Sequence, residues 1–138
     1  MKLIAYTDGA SRGNPGESGI GIVLQDEQGS IVYEGSGYIG QATNNIAEYS
    51  ALIACLNKAR ALACSHLIVH SDSELMVRQM QGKYKVRDSK LQTYYRAVCE
   101  ILDTGGIDAT FIHIDRSANS RADKLANIGI DSRRRLQI

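Results

Sequence analysis

The chain has 138 residues, of which 43% are hydrophobic and 22% are charged, as in an ordinary globular protein of one domain. The net charge of +1 excludes a strongly basic domain, so any contact with nucleic acid must depend on local geometry more than on a broad positive field. The chain has no apolar stretch of the ~18–20 residues that span a membrane and no signal-peptide layout, so we expect a cytoplasmic protein.

The first half of the chain predicts three strands and a helix. Residues 2–8 form an apolar run, and residues 18–26 alternate between apolar and polar side chains, as a strand with one buried face does. A tight turn leads to a third strand over about residues 30–40, which completes an antiparallel meander. From Thr43 to about Ala63 the chain is rich in Ala and Leu, and Thr43 is suited to cap this helix.

The second half predicts two strands and three helices. Residues 66–72 form a continuous apolar run typical of a strand buried on both faces, and residues 73–81 form a short helix. Residues 88–103 predict a second helix, residues 107–114 a last strand and residues 118–130 a closing helix. The order of elements predicts an α/β fold with a five-stranded mixed sheet, in which a meander of strands 1–3 is joined by parallel strands 4 and 5 and is flanked by helices.

The whole chain, residues 1–138, is expected to form a single domain. Its last residues include the consecutive arginines Arg133, Arg134 and Arg135. We expect about residues 131–138 to be a flexible basic tail, with contact between these arginines and phosphates as the alternative. The three cysteines are widely spaced and form no CxxC pattern, so we expect reduced, small core residues: Cys55, Cys64 and Cys99.

Acidic residues occupy unusual places in the predicted fold. Asp8 and Asp72 end apolar strands, and Glu48 heads an otherwise core-facing helical stripe. If the strand that ends in Asp72 runs parallel to the first, both aspartates emerge at the same edge of the sheet, where open α/β sheets bind ligands. Asp123, in the first turn of the last helix, can reach the same edge.

Acids crowded at one point repel one another and resist joint ionisation, a conflict that a divalent cation resolves. Oxygen ligands without Cys or His favour Mg²⁺ or Mn²⁺ over Zn²⁺. Four carboxylates can hold two such ions, about 4 Å apart, around a scissile phosphate. The spacing alone leaves open the alternative that each acid is a turn residue or a helix cap.

Four segments resemble, in the same order, the signature motifs of one family: YTDGASRGNPG, TNNIAEYSAL, VHSDSELMVRQMQG and NSRADKLAN. The family is type 1 ribonuclease H (ribonuclease HI), and the likeness spans nearly the whole chain. The resemblance implies a ribonuclease H-like fold and Mg²⁺-dependent hydrolysis of the RNA strand of RNA/DNA hybrids, with Mn²⁺ as a substitute and with 5′-phosphate and 3′-hydroxyl products. It also implies that the catalytic, metal-binding residues are Asp8, Glu48, Asp72 and Asp123.

By the same resemblance, six residues would contact the hybrid: Ser11, Gly13, Asn14, Thr43, Asn44 and Asn45. The first three would lie along the minor groove and contact RNA 2′-hydroxyls, and the slim residues after Asp8 would let the nucleic-acid backbone come close. Thr43 and Asn44 would lie near a DNA-strand phosphate at the helix start, where backbone N–H groups suit its charge, with Asn45 reaching the groove. The alternative for the residues at the helix start is a cap alone.

The chain departs from the family pattern before its last acid, where many members carry a histidine in a loop. Here that loop has none, and His113 lies inside a predicted strand and is not assigned the role. Arg116 can fill some of this space and touch a phosphate, or it can be a solvated arginine. Glu74 stands where bacterial members often carry Gln and can contact a 2′-hydroxyl, or it can be a plain helix residue.

The basic, tryptophan-rich insertion of many bacterial relatives is also missing, apart from the short basic segment 82–90. We therefore expect hybrid binding to be modest and strongly salt-dependent. The expected partner is an RNA/DNA hybrid, with no membrane, no obligate protein partner and a monomeric state. Met1 and the complete order of elements favour an independent cellular protein over a fragment of a reverse transcriptase or transposon polyprotein.

Two other classes of function stay open on the sequence. A non-catalytic nucleic-acid-binding module would keep the fold, although it gains nothing from carboxylates that face phosphates. A phosphotransferase of the actin and sugar-kinase type also begins with a strand and an Asp-Gly turn, but it needs two such domains to close over a nucleotide.

Overall fold

The computed structural model describes residues 1–136, which form five strands and four α-helices. The strands are β1 Lys2–Gly13, β2 Gly16–Gln25, β3 Ile31–Ala42, β4 His66–Ser71 and β5 Asp108–His113. The helices are α1 Asn44–Ala61, α2 Glu74–Met80, α3 Ser89–Gly105 and α4 Ser120–Ser132, with a 3₁₀ turn over Arg116–Asn119. Within this described part, no helix has both the length and the apolar character that crossing a bilayer requires.

The strands form one mixed sheet in the order β3-β2-β1-β4-β5. β1, β2 and β3 are an antiparallel meander, whereas β4 is parallel to β1 and β5 is parallel to β4. The predicted five-stranded mixed sheet is thereby confirmed. The register pairs Thr7 with Ser71 and Ser71 with His113, so the carboxyl ends of β4 and β5 meet β1 at one edge of the sheet.

Helices cover the two faces of the sheet unequally. α1 packs on β1 and β2 with α3 outside it, whereas α4 packs on β2, β3 and β1 from the other side. Along β4, Leu67 and Val69 are fully buried, but Ile68 and His70 on the other face are only half-buried. The expectation that this strand is buried on both faces is therefore wrong, because α4 lies mainly on the meander.

The start and the inner face of α1 follow the prediction. Thr43 Oγ1 accepts a hydrogen bond of 3.2 Å from the N–H of Ile46, so Thr43 caps the helix. Glu48 is 8% exposed and heads a buried stripe. The apolar members of that stripe belong to the main core: Leu52, Cys55 and Ala59.

Two element boundaries differ from the expectation. β1 continues past Asp8 to Gly13, because its pairing with β2 runs to the turn that joins Gly13 and Gly16. The closing helix begins at Ser120 instead of residue 118, because a 3₁₀ turn precedes it. The long β1–β2 hairpin therefore projects beyond the sheet edge that carries Asp8.

The three cysteines do not share one environment. Cys55 and Cys64 are buried and Cys99 is exposed, and all three are free thiols. Cys99 follows the buried Val98 on α3, and successive helical residues point about 100° apart. The expectation of three core cysteines is therefore wrong for Cys99.

The end of the chain runs along β3. Asp131 is still part of α4, and Arg133 ends that helix in the left-handed conformation with φ 53°. The carbonyl of Arg134 accepts a hydrogen bond of 2.7 Å from the N–H of Tyr38, and Leu136 packs against the core. The flexibility expected for residues 131–138 stays a prediction, and its last two residues lie outside the described part of the chain.

Glycines allow α4 to lie close against the sheet. A Cβ atom at Gly19 would collide with the carbonyl of Ala126, and one at Gly21 would collide with the carbonyl of Ala122. Neither glycine has a positive φ, so the requirement is for space and not for backbone freedom. The distance between α4 and the sheet depends on these absent side chains.

We predict that Gly21→Ala lowers the free energy of unfolding by about 1–3 kcal/mol, because α4 must move away from β2 to admit the methyl group. Urea denaturation followed by circular dichroism measures the change. The control is Gly29→Asn, since Gly29 has φ +84° with nothing near its Cβ position, and Asn tolerates this backbone conformation. Equal stability of the Gly21→Ala variant and the wild type would contradict the close approach.

Candidate active site

Two strands carry acids to the same edge of the sheet. Asp8 lies in β1 and is only 4% exposed, and Asp72 directly follows the last residue of β4. The two strands are parallel, and Thr7 pairs with Ser71. The next residue along each strand therefore brings its carboxylate to the same place, as the sequence led us to expect.

Glu48 reaches this edge from α1. The backbone N–H of Gly9 donates a hydrogen bond of 2.8 Å to Oε1 of Glu48. A Cβ atom at Gly9 would collide with the backbone of Ala47 and Glu48, so the glycine lets the first turns of α1 lie against β1. The expectation that slim residues here make room for nucleic acid is wrong for Gly9, because α1 fills the space beside it.

Three of the predicted acids form a compact cluster. Asp8, Glu48 and Asp72 each contribute a carboxylate oxygen, and these atoms all lie within 4.8 Å of one another. Asp123, half-buried in the first turn of α4, lies close enough for its carboxyl to add to the rise that burial causes in the pKa of Asp8 and of Glu48. The structure therefore brings three of the four predicted acids into one cluster and places Asp123 beside it.

Burial and mutual repulsion hold protons on this cluster. Burial raises the pKa of Asp8 to about 9, and the neighbouring carboxylates of Glu48, Asp72 and Asp123 add to the rise. Burial also raises the pKa of Glu48 to about 8, although the N–H of Gly9 opposes that shift. Near neutral pH the cluster therefore retains protons that a bound cation must displace.

The cluster fits a hard divalent cation. Its donors are carboxylate oxygens only, which such ions prefer to nitrogen or sulfur. Three oxygens within one small volume also match the way a single ion gathers its ligands. The acidic triad can therefore bind a metal ion.

A cleft of about 340 Å³ opens over the cluster, which forms part of its lining. The rest of the lining comes from β1, the start of α1, the residue after Asp72, the end of β5 and the segment that follows it: Gly9, Asn44, Asn45, Ser73, His113, Ile114, Asp115 and Arg116. The N-terminus of a long helix and an arginine both favour a negatively charged ligand. Beside the acids, the cleft therefore carries groups suited to a phosphate.

Residues expected at the DNA strand gather at the start of α1. Asn44 and Asn45 are exposed and line the cleft, whereas the hydroxyl of Thr43 caps the helix. The side-chain oxygen of Asn14 accepts a hydrogen bond of 3.1 Å from the N–H of Asn44. This bond ties the β1–β2 hairpin to the helix start.

The other residues expected at the RNA strand lie on the same hairpin. Gly13 is exposed at its tip with φ +107°. The hydroxyl of Ser11 is within 2.6 Å of the Ser18 hydroxyl and donates to the carbonyl of Ala42 at 3.1 Å. The Ser11 side chain is therefore engaged by hydrogen bonds within the hairpin and with the end of β3.

The two additional candidates have different positions. Arg116 lines the cleft, and its charge acts to lower the pKa of Glu48 against the larger effect of burial. Glu74 lies in the first turn of α2 and forms an ion pair of 3.7 Å with Arg78. It is not part of the cleft lining, so the structure brings Arg116 to the site and leaves Glu74 beside it.

Sequence reasoning missed two residues of the site. His113 is the last residue of β5 and lines the cleft, and its position at a parallel strand end was the available signal. Asn119 is 1% exposed, and its side-chain amide donates to Asp72 Oδ2 at 3.3 Å. The sequence carries no signal for this contact, since it joins residues 47 positions apart.

Known proteins are similar to this chain in sequence and in fold. The sequence profile of a family described as reverse transcriptase-like matches residues 6–129. Ribonuclease HI of Halobacterium salinarum is 44% identical over 94% of this chain and 65% of its own length. Ribonuclease H of Chlorobium phaeobacteroides is 33% identical over 96% of this chain and 98% of its own. The solved structure of LC11-RNase H1 in complex with an RNA/DNA hybrid matches with a TM-score of 0.91 and 44% identity, over 94% of this chain and 97% of that one.

The sheet order and the acids at its parallel strand ends define a protein of the ribonuclease H-like fold class. The sequence matches cover most of the chain and identify the family within this fold class. The chain belongs to the type 1 ribonuclease H family. It spans 65% of the length of the Halobacterium relative and 36% of the length of the mycobacterial relatives that it matches.

We predict that Asp8→Asn stabilises the metal-free protein, and that the gain grows as pH rises. In the unfolded chain Asp8 ionises near its ordinary pKa of 3.8, whereas in the fold it keeps its proton up to about pH 9. Its contribution to stability is fully present below pH 3.8 and is lost as pH rises toward 9, whereas Asn stays neutral throughout. We expect a melting temperature at least about 4 °C above wild type at pH 8.

Thermal melts in a chelator between pH 5 and about pH 9 measure this difference. The control is Asp103→Asn, which neutralises an exposed carboxylate on α3 and should give no gain that grows with pH. A gap between Asp8→Asn and wild type that stays constant with pH would contradict the account of the cluster.

Proposed function

We propose that the chain is a metal-dependent endoribonuclease that hydrolyses the RNA strand of RNA/DNA hybrids and leaves 5′-phosphate and 3′-hydroxyl ends. The cluster of Asp8, Glu48 and Asp72 under an open cleft is the observation that carries the proposal. The ribonuclease names of the relatives and the hybrid in the LC11-RNase H1 complex support the choice of substrate. A pure binding module would gain nothing from buried acids aimed at phosphates.

The proposed cofactor is Mg²⁺, with Mn²⁺ as a substitute and two ions per site. Asp8, Glu48 and Asp72 would hold it together with Asp123. Bound there, such ions supply a water of lowered pKa and neutralise the charge that develops on the phosphate. The protein itself holds the carboxylates close together before an ion binds. The hydrogen bond from the N–H of Gly9 fixes Glu48, and the position of Asp8 within β1 fixes its backbone.

We propose that the DNA strand binds at the start of α1. The helix has 18 residues, and its first N–H groups carry the partial positive charge that attracts a phosphate. Asn44 and Asn45 are exposed there and line the cleft. Arg116, which also lines the cleft, adds a full positive charge for a phosphate near the acids.

We propose that the RNA strand binds to the β1–β2 hairpin at Gly13 and Asn14. The Ser11 hydroxyl is already bonded to Ser18 and to the carbonyl of Ala42, so a ribose would have to share it with these partners. The hydrogen bond from the N–H of Asn44 to Asn14 joins this binding site to the start of α1. This bond therefore links the proposed binding sites of the RNA strand and the DNA strand.

Further contact with phosphates is proposed for the segment between α2 and α3. Its basic residues, together with Lys90 at the start of α3, are exposed and lie along the chain near Tyr84, which is 48% exposed: Lys83, Lys85, Arg87 and Lys90. Exposed basic side chains beside an aromatic ring suit a nucleic-acid backbone without sequence preference. Binding that depends on these residues should weaken steeply with salt.

We also propose that the whole chain works as one domain. A single core cluster draws on β1, β2, α1, β4, α2, α3 and β5, so these elements share their buried contacts. α4 packs on the other face of the same sheet. No seam divides the described residues into two cores.

We predict that the purified chain with MgCl₂ cuts the RNA strand of a labelled RNA/DNA hybrid and spares duplex DNA. Asp8→Asn should abolish cleavage without lowering the melting temperature, because the amide keeps the shape of the side chain but is a poor ligand. Asp103→Asn is the matched control and should cleave like wild type. Hybrid binding by the wild type without turnover in MgCl₂ or MnCl₂ would reject the enzyme in favour of a binding module.

We predict that Asn45→Ala raises KM for the hybrid about tenfold and leaves kcat within about twofold, because one hydrogen bond to the substrate is lost. Within residues 1–136 the Asn45 side chain makes no hydrogen bond, so the fold should be unaffected. Asn57→Ala, at the far end of α1, is the control, and its kinetics should match the wild type. An unchanged KM for Asn45→Ala would remove this residue from the binding site.

A further inference from the structure

Asn119 is a buried polar residue beneath the acidic cluster. It is 1% exposed and ends the 3₁₀ turn that precedes α4. Its side-chain amide donates to the carbonyl oxygen of Thr7 at 2.9 Å and to Oδ2 of Asp72 at 3.3 Å. One NH₂ group therefore joins β1, the end of β4 and the start of α4.

The side chain does not perform the usual task of an asparagine at this position. Asn119 is the N-cap residue of α4, yet its side chain makes no capping hydrogen bond with the helix. Instead, the amide turns toward two oxygen acceptors, which only a donor can satisfy. Its own Oδ1 is buried without a partner among the described residues. The orientation is therefore set by Thr7 and Asp72 and not by the helix.

Asp72 is the member of the triad with the least support from the backbone. Asp8 lies within a strand, and Glu48 is fixed by the N–H of Gly9. Asp72 lies one residue beyond β4 and is half-buried. Within residues 1–136, the hydrogen bond from Asn119 is the one that its carboxylate receives from a side chain.

We propose that Asn119 is a positioning residue that holds the carboxylate of Asp72 in the orientation required to bind the cation. The proposal rests on the proposed function, because it gives Asp72 a metal to hold. A partner that orients a ligating carboxylate typically changes metal affinity by 10–100-fold when it is removed. The competing explanation is that Asn119 serves only to attach the 3₁₀ turn to β1 through Thr7.

The experiment compares two variants of Asn119 with a structural control. Asn119→Ala removes the amide, and Asn119→Leu keeps a side chain of similar branching without a donor. The control is Ser36→Ala, because the Ser36 hydroxyl attaches α4 to β3 through the carbonyl of Leu125 and touches no acid. All proteins are first melted in a chelator, which measures the purely structural loss.

Each protein is then titrated with MnCl₂, and binding is followed by the rise in melting temperature and by the loss of the free Mn²⁺ signal in electron paramagnetic resonance. We expect both Asn119 variants to need about tenfold more Mn²⁺ than wild type for half-saturation. Ser36→Ala should lower the melting temperature in chelator and keep the wild-type Mn²⁺ midpoint. Hybrid cleavage by the Asn119 variants should be slow at low MnCl₂ and recover at saturating MnCl₂, with KM for the hybrid unchanged.

The outcomes separate this inference from the proposed function. Wild-type Mn²⁺ midpoints in the Asn119 variants, with cleavage intact in the wild type, would overturn the inference alone. Failure of both variants to fold would also overturn it, because it would show a structural role. A wild type that neither responds to MnCl₂ nor cleaves the hybrid would overturn the proposed function and the inference together.

Discussion

The repulsion between carboxylates forced into one buried place is the constraint on which the rest of the site depends. Carboxylate oxygens of Asp8, Glu48 and Asp72 lie within 4.8 Å of one another, and burial together with the neighbouring charges raises the pKa of Asp8 and of Glu48. The surrounding groups moderate the conflict: Gly9 donates an N–H to one acid, and Asn119 donates its amide to another. A cation removes the conflict altogether, and the repulsion in its absence is thereby converted into affinity for it.

Much of this arrangement could be predicted from the sequence, because the decisive signals are local. Strand alternation, the apolar run before Asp72 and the cap at Thr43 each depend on a few neighbouring residues, and the structure confirms the sheet that they predict. The place of Glu48 at the head of a buried stripe is likewise a matter of helical spacing. The four acids could be proposed as one group because parallel strands deliver Asp8 and Asp72 to one edge of the sheet, and because Glu48 and Asp123 match the family's motifs near the starts of two helices.

The errors concern distances between elements, which no local pattern records. The small size of Gly9 suggests space for a ligand beside it, but the backbone of α1 fills the position that a Cβ atom would occupy. His113 was read as a strand residue, and only the register with β4 brings it to the cleft. The wide spacing of the cysteines without a CxxC pattern predicts reduced core residues, whereas the place of Cys99 on α3, next to the buried Val98, exposes it. Asn119 was overlooked because its partners are distant in the chain.

The segment after α4 has a consequence for how this protein coexists with copies of itself. β3 is an edge strand of the sheet, and the unpaired backbone groups of an edge strand can pair with strands of other molecules. At Tyr38 the edge strand's N–H is already satisfied by Arg134, and Leu136 covers the neighbouring glycine, Gly37. Arg134 and Leu136 thus shield part of the sheet from edge-to-edge aggregation. A chain shortened to end before Arg134 would lose this protection.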